Sequence, residues 1–241
     1  MIERKFSSFL TEPEKEKVSD LENKAILMRN TADPFSPQEY LSIAVMEAAK
    51  AILRRDKAVG TIISWREEGI ETIISASNRV RSGFSHGFHA EQLAIYYLEL
   101  FLYGVPTPDT YFQRLLPENI PQHHGGTLYT TLEPCTTCAG RILQTPEITS
   151  VVVGAEDPNG GQMLSNRLEC IAPNFQEKAQ KRGLTIDQVD FNNPKSQHHV
   201  SPLYQQLIQE TLGPRGIDLR FSDEVRNGIL FDINKKTFGR R

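Results

Sequence analysis

Cysteine is scarce in this 241-residue chain, which holds only Cys135, Cys138 and Cys170. Three thiols cannot form a disulfide framework. Two of them at C-x-x-C spacing point instead to metal binding or redox chemistry, and Cys170 is left over as a small buried hydrophobe. Long apolar runs are missing too. Nothing approaches the roughly 20 residues needed to cross a bilayer, and residues 1–10 carry mixed charge with no apolar core of leader-peptide length. These absences predict a soluble, cytoplasmic protein without a membrane partner. Nor is there an excess of one charge: the formal net charge is -3 and the pI about 6.1, so no general pull toward nucleic acid or anionic lipid exists and any partner must be argued from a site. The sequence contains no internal repeat.

A chain of this length can bury a sizeable core in one decorated domain. We divide it into an N-terminal extension (1–36), a central domain (37–190) with an insertion at 104–126, and a C-terminal extension (191–241). The first segment is rich in Glu, Lys, Ser and Pro, with a short amphipathic stretch at 18–28. It reads as an arm that packs loosely or wraps a partner subunit. From Ser36 the pattern sharpens: Ser36 can cap, Pro37 suits the first helical position and Glu39 completes a capping box. Leu41, Ala44, Val45, Ala48 and Ile52 then recur at helical spacing, predicting a helix to about residue 55.

Two strands are expected next, at 58–64 and 71–77, paired antiparallel across the polar turn Arg66-Glu67-Glu68-Gly69. A loop containing Asn78 and residues 83–88 leads into a helix over 90–103, stopped by Gly104. The insertion carries one brief helix at 111–116 and is expected to lie away from the chemistry in its own subunit. A strand at 127–131, a helix opened by Pro134 and a Val-rich strand at 150–154 make a βαβ unit. Residues 163–182 read as helical in parts, broken at Pro173, before a fifth strand at 184–190. A crossover of that length predicts that the last two strands are parallel. A further helix is expected at 202–212.

The chemistry lies at His89-Ala90-Glu91 and at the Cys135/Cys138 pair. Imidazole with two thiolates suits zinc, and three protein ligands leave a fourth position for water or substrate, as in catalytic sites. Cysteines three apart at a helix start share one face, and the positive end of the helix favours thiolates. Glu91, two residues past the ligand, is close enough to move a proton at the activated water without binding the metal. Two other readings stay open for the pair: a redox dithiol, which wants a thioredoxin-like context, and half of a four-cysteine structural site, which wants a second pair. Neither accompaniment is present.

His89-Ala90-Glu91, followed by Thr131-Leu132-Glu133-Pro134-Cys135-Thr136-Thr137-Cys138-Ala139-Gly140, resembles the H-x-E and P-C-x-x-C signature of the zinc-dependent cytidine deaminase superfamily. It is closest to the branch of tRNA adenosine deaminases and guanine deaminases, over about residues 38–190. The resemblance implies a three-layer α/β/α cytidine deaminase-like fold, with a five-stranded mixed sheet between helices. It implies one zinc per chain on His89, Cys135 and Cys138, with Glu91 shuttling protons during attack on an amino-bearing ring carbon. It also implies a homodimer or larger homo-oligomer.

Asn78, eleven positions before His89, matches the family asparagine that contacts the base or sugar; its other role is a turn residue ending a strand. The segment before the ligand, often Asp-Pro-Thr-Ala in the tRNA adenosine and guanine enzymes, is here Ser85-His86-Gly87-Phe88. His86 can face substrate or act as a fourth ligand by its H-x-x-H spacing. Phe88 can stack on a base or fill the core, the role we favour for it. Ala90, within the motif, joins the substrate-side residues, as do Glu156 and Asp157, which can accept from an exocyclic amine or belong to a solvated turn. The basic end Lys235, Lys236, Arg240 and Arg241 reads as a solvated tail. The expected activity is hydrolytic deamination of a small nucleobase, nucleoside or related amino-heterocycle. The alternatives are a tRNA adenosine deaminase and a non-catalytic subunit of the same fold, which Glu91 argues against.

Overall fold

The computed structural model describes residues 11–67, 70–83, 87–104, 125–157, 161, 163, 175–190, 199–201, 204, 206, 207, 210 and 211. Its elements are α1 (Glu12–Asn30), α2 (Pro37–Leu53), β1 (Gly60–Glu67), β2 (Ile70–Ser77), α3 (Ala90–Tyr103), β3 (Gly126–Thr130), α4 (Thr136–Leu143), β4 (Ile148–Val153), α5 (Phe175–Arg182) and β5 (Thr185–Gln188). The strands form one sheet of order β2-β1-β3-β4-β5. β1 is antiparallel to β2 and β3, whereas β3, β4 and β5 run parallel. The expected mixed sheet with its last two strands parallel is therefore observed.

Side-chain alternation along the central strands builds the three layers. Ile62, Tyr129 and Val152 face the cluster formed with α1 and α2. Their neighbours Ile63, Leu128, Val151 and Val153 face the opposite cluster, with α3, α4 and α5. Both faces of the sheet are covered, as a parallel sheet joined by helical crossovers requires.

The N-terminal arm is a correction. Residues 12–30 form a continuous helix, and Val18, Leu21, Ala25 and Met28 are buried. Their spacing of three, four and three residues makes a single stripe, which packs on α2 within the core. Tyr204 and Leu207, helical in the C-terminal extension, join the same cluster. Lys24 of α1 donates to Glu210 at 2.7 Å. Elements outside the expected domain thus complete one face of it.

At the start of α2, Ser36 Oγ accepts from the Glu39 N–H at 3.3 Å as expected, but Glu39 reaches back to the Phe35 N–H at 2.7 Å, one residue before the cap. Cys135, expected inside a helix opened by Pro134, is the N-cap residue of α4. The brief helix at 111–116, the break at Pro173, Cys170 and the basic end fall outside the described residues.

Candidate active site

The parallel strands β3 and β4 end on one side of the sheet, and the connections leaving that side carry the chemistry. α3 and α4 both begin there. His89 is the N-cap of α3 and Cys135 the N-cap of α4, each with extended backbone, φ/ψ -64°/150° and -71°/170°. A cap residue projects its side chain ahead of the helix, where unpaired N–H groups and the dipole favour negative charge. Cys138 lies one turn into α4 and is fully buried.

The result is a compact donor set. Cys135 Sγ is 3.7 Å from His89 Nδ1 and 3.6 Å from Cys138 Sγ, and the three donor atoms lie within 4.8 Å of one another. A tetrahedral zinc with Zn–S near 2.3 Å and Zn–N near 2.0 Å has ligand–ligand edges of roughly 3.5–3.8 Å. The two short separations match those edges, and two sulfurs with one imidazole suit zinc, so the residues fit the ion.

Glu91 is buried in the first turn of α3, its Oε2 accepting from Cys138 Sγ at 3.5 Å. Burial raises its carboxyl above the usual carboxylate range. The contact with Cys138 lowers the Cys135 thiol to about 3, and the same contact raises Cys138. Hydrogen bonding to Cys135 raises His89. The Cys135 thiol is thus drawn toward the thiolate beside the imidazole, the electrostatic setting of a cation site.

The other expected residues are placed as follows. Asn78 is buried at the end of β2, and its Oδ1 accepts from the Val80 N–H at 3.2 Å, which is the turn role. Phe88 is 38% exposed instead of filling the core. It borders a groove of about 820 Å³ between α3 and α4, with Arg79, Tyr96, Tyr97, Thr137 and Arg141 among its lining. The three donor residues are not part of that lining. Ala90 is buried in the core cluster formed with α1 and α2. Glu156 is exposed, whereas Asp157 is buried and its Oδ2 accepts from Lys57 Nζ at 3.4 Å. His86 lies outside the described residues.

Two supporting residues escaped the sequence reading. Glu133, next to the ligand turn, accepts from the Asp157 N–H at 3.2 Å and the Met163 N–H at 2.8 Å. It thereby ties down the connection after β4, where Gly161 forms a bridge with Cys135. A Cβ on Gly161 would stand 2.0 Å from Glu133 Oε2 and 2.8 Å from the Asp157 carbonyl, so a side chain here would have to displace the carboxylate and the backbone beside it. Lys57 was invisible because nothing local distinguishes it from a surface lysine.

Comparison with known proteins gives the following. Residues 36–155 match the family described as cytidine and deoxycytidylate deaminase zinc-binding region. Over 122 residues the chain is 30% identical to a tRNA-specific adenosine deaminase of Bacillus subtilis, covering 51% of this chain and 63% of that protein. A structure from a study of tRNA:A34 deaminases is 29% identical, with 53% of this chain and 84% of that one covered and a TM-score of 0.41. A guanine deaminase structure from Nitrosomonas europaea is 17% identical over 77% of this chain and 91% of its own, TM-score 0.45.

Proposed function

Through residues 36–155 the chain belongs to the zinc-dependent cytidine and deoxycytidylate deaminase superfamily, and on that premise we propose that it is a hydrolytic deaminase of a small nucleobase, nucleoside or related amino-heterocycle. One observation carries the reading: two helix starts meet so that the His89, Cys135 and Cys138 donors lie within 4.8 Å of one another with the Glu91 carboxylate beside them. Zinc at such a site lowers the pKa of water to about 7 and so supplies a nucleophile near neutral pH. Glu91 takes the proton released during attack and returns it to the departing nitrogen. Its raised pKa suits that double duty, since a carboxyl poised nearer neutrality both accepts and donates. The ring carbon gains oxygen, its carbon–nitrogen bond breaks and ammonia leaves.

In this reading Asn78 sits at the substrate side of the ligands, Phe88 offers a partly exposed ring for stacking on a heterocycle, and Ala90 closes the floor. The two carboxylates after β4, exposed Glu156 and buried Asp157, are the candidates to accept from an exocyclic amine. The test is ammonia release by the zinc-loaded protein across cytosine, guanine, adenine and their nucleosides and nucleotides. We expect turnover on at least one class; silence on every member with zinc bound would sink the reading.

The identity to a tRNA-specific adenosine deaminase favours a second reading, in which the same site acts on an adenosine held within tRNA. Binding of that substrate would weaken steeply with salt. Failure to retain tRNA even at low salt removes it.

A further inference from the structure

We propose that Asp56 is a positioning residue for His89 and Asn78, acting through the turn at 79–83; the inference rests on the reading of His89 as a zinc ligand. Asp56 lies in the connection between α2 and β1, and its side chain is 0% exposed. A carboxylate withdrawn from water must have its oxygens occupied. Oδ1 accepts from the Arg81 N–H at 2.6 Å and the Ser82 N–H at 3.2 Å, and Oδ2 accepts from Ser82 Oγ at 2.5 Å. All three donors belong to one turn. Beside it, Arg54 Nε stands 3.9 Å from Asp56 Oδ2, and Arg54 Nη2 donates to Ser77 Oγ at 2.6 Å and to the Asn78 carbonyl at 3.4 Å. Two neighbouring side chains therefore fix both the end of β2 and the turn that follows it.

The turn in turn grips the residue before the ligand. The Arg79 N–H donates to the Phe88 carbonyl at 2.8 Å, and the Gly83 N–H closes the turn on the Arg79 carbonyl at 2.7 Å. The Phe88 ring lies directly on Gly83, where a Cβ would approach Cδ2 to 2.2 Å. The line of contact runs from Asp56 through Arg81 and Ser82 to Gly83 and Arg79, then to Phe88, and so to His89. Asn78, whose Oδ1 accepts from the Val80 N–H, is oriented by the same turn. Ligands held by a rigid surround bind metal more tightly than ligands that must first be ordered; losing a partner bonded directly to a ligand typically costs about 10–100-fold in metal affinity or activity, and a support acting through one turn belongs at the low end of that range.

The test is competition for zinc between the full-length protein and a chromophoric chelator, for wild type, Asp56→Ala, Asp56→Asn and Leu21→Ala. Leu21 is buried on α1 in the core cluster that also holds Ile52, Val59 and Ala90, so its truncation measures what general destabilisation does to zinc binding. We expect Asp56→Ala to weaken zinc by about tenfold or more, and Asp56→Asn by less, because its carbonyl still accepts from the backbone. Leu21→Ala should hold zinc as wild type does. Should Asp56→Ala not fold, Asp56→Asn and Ser82→Ala carry the test, with zinc binding weaker than wild type expected in both. Wild-type zinc affinity in the Asp56 variants, or an equal loss in Leu21→Ala, overturns the proposal and leaves Asp56 a residue of general stability. A substrate found in the ammonia panel adds a second readout, a KM raised more than kcat is lowered through Asn78. Lack of turnover in wild type defeats the deaminase reading while the zinc comparison still decides the role of Asp56.

Discussion

Cys135 shows how much one residue does at a helix start. It caps α4, faces His89 at 3.7 Å and Cys138 at 3.6 Å, and forms the bridge to Gly161. Its position was readable because both motifs are local: His89 and Glu91 are two apart, Cys135 and Cys138 three. Residues whose partners lie far away were not readable. Lys57 and Asp157 are 100 positions apart and Asp56 is 25 from Arg81, and in the sequence each is one more charged side chain. Away from the site, Tyr40 gives a pH signature. Burial, then its hydrogen bond to Glu71, pushes its hydroxyl up to about 12. A pKa raised on folding stabilises the native state fully below the unfolded value near 10, and that contribution is lost as pH rises through about 12. Thermal melts of wild type and Tyr40→Phe from pH 8 to 12 are expected to converge as pH rises. A gap that stays constant would show that Tyr40 titrates as a free phenol.

The elements that hold the site act through their ends. Arg182 of α5 donates to the Ile142 carbonyl at 2.8 Å and also to the carbonyls of Leu143 and Ile148. One guanidinium thus satisfies carbonyls at the C-terminus of the helix whose N-cap and first turn carry the two cysteines. Arg141 of α4 pairs with Glu99 of α3, locking together the two helices that present the ligands. α2, α3 and the parallel β3–β4 pair were legible because hydrophobic periodicity and β-branched runs agree with their tertiary setting. α1 was misjudged for a physical reason. Its many Glu and Lys residues suggest solvation, yet four apolar residues on one stripe are enough to dock a helix whose other faces stay wet. Leu21 is 1% exposed, so Leu21→Ala is expected to cost about 2–5 kcal/mol in denaturant unfolding. A loss under about 0.5 kcal/mol, the range of surface substitutions, would restore the loosely packed arm.

At the scale of the whole molecule, a mixed sheet covered on both faces brings two helix starts to one end and leaves the opposite clusters to stability. The three-layer architecture followed from the order of strands and helices. The packing of α1, Tyr204 and Leu207 into the cluster with α2 did not, because it brings together residues as far apart as Lys24 and Glu210, 186 positions. Among the described residues no helix is long and apolar enough to cross a membrane. On the proposed function, His89, Cys135 and Cys138 hold zinc and Glu91 moves the proton, two jobs within one motif. The most direct test is zinc bound per chain, measured together with turnover on the best panel substrate, in Glu91→Ala and Cys135→Ala beside wild type. We predict about one zinc per chain in Glu91→Ala with turnover down by at least about 10²-fold, and loss of both zinc and turnover in Cys135→Ala. Equal loss of zinc in the two variants, or turnover that survives without Glu91, would contradict the assignment.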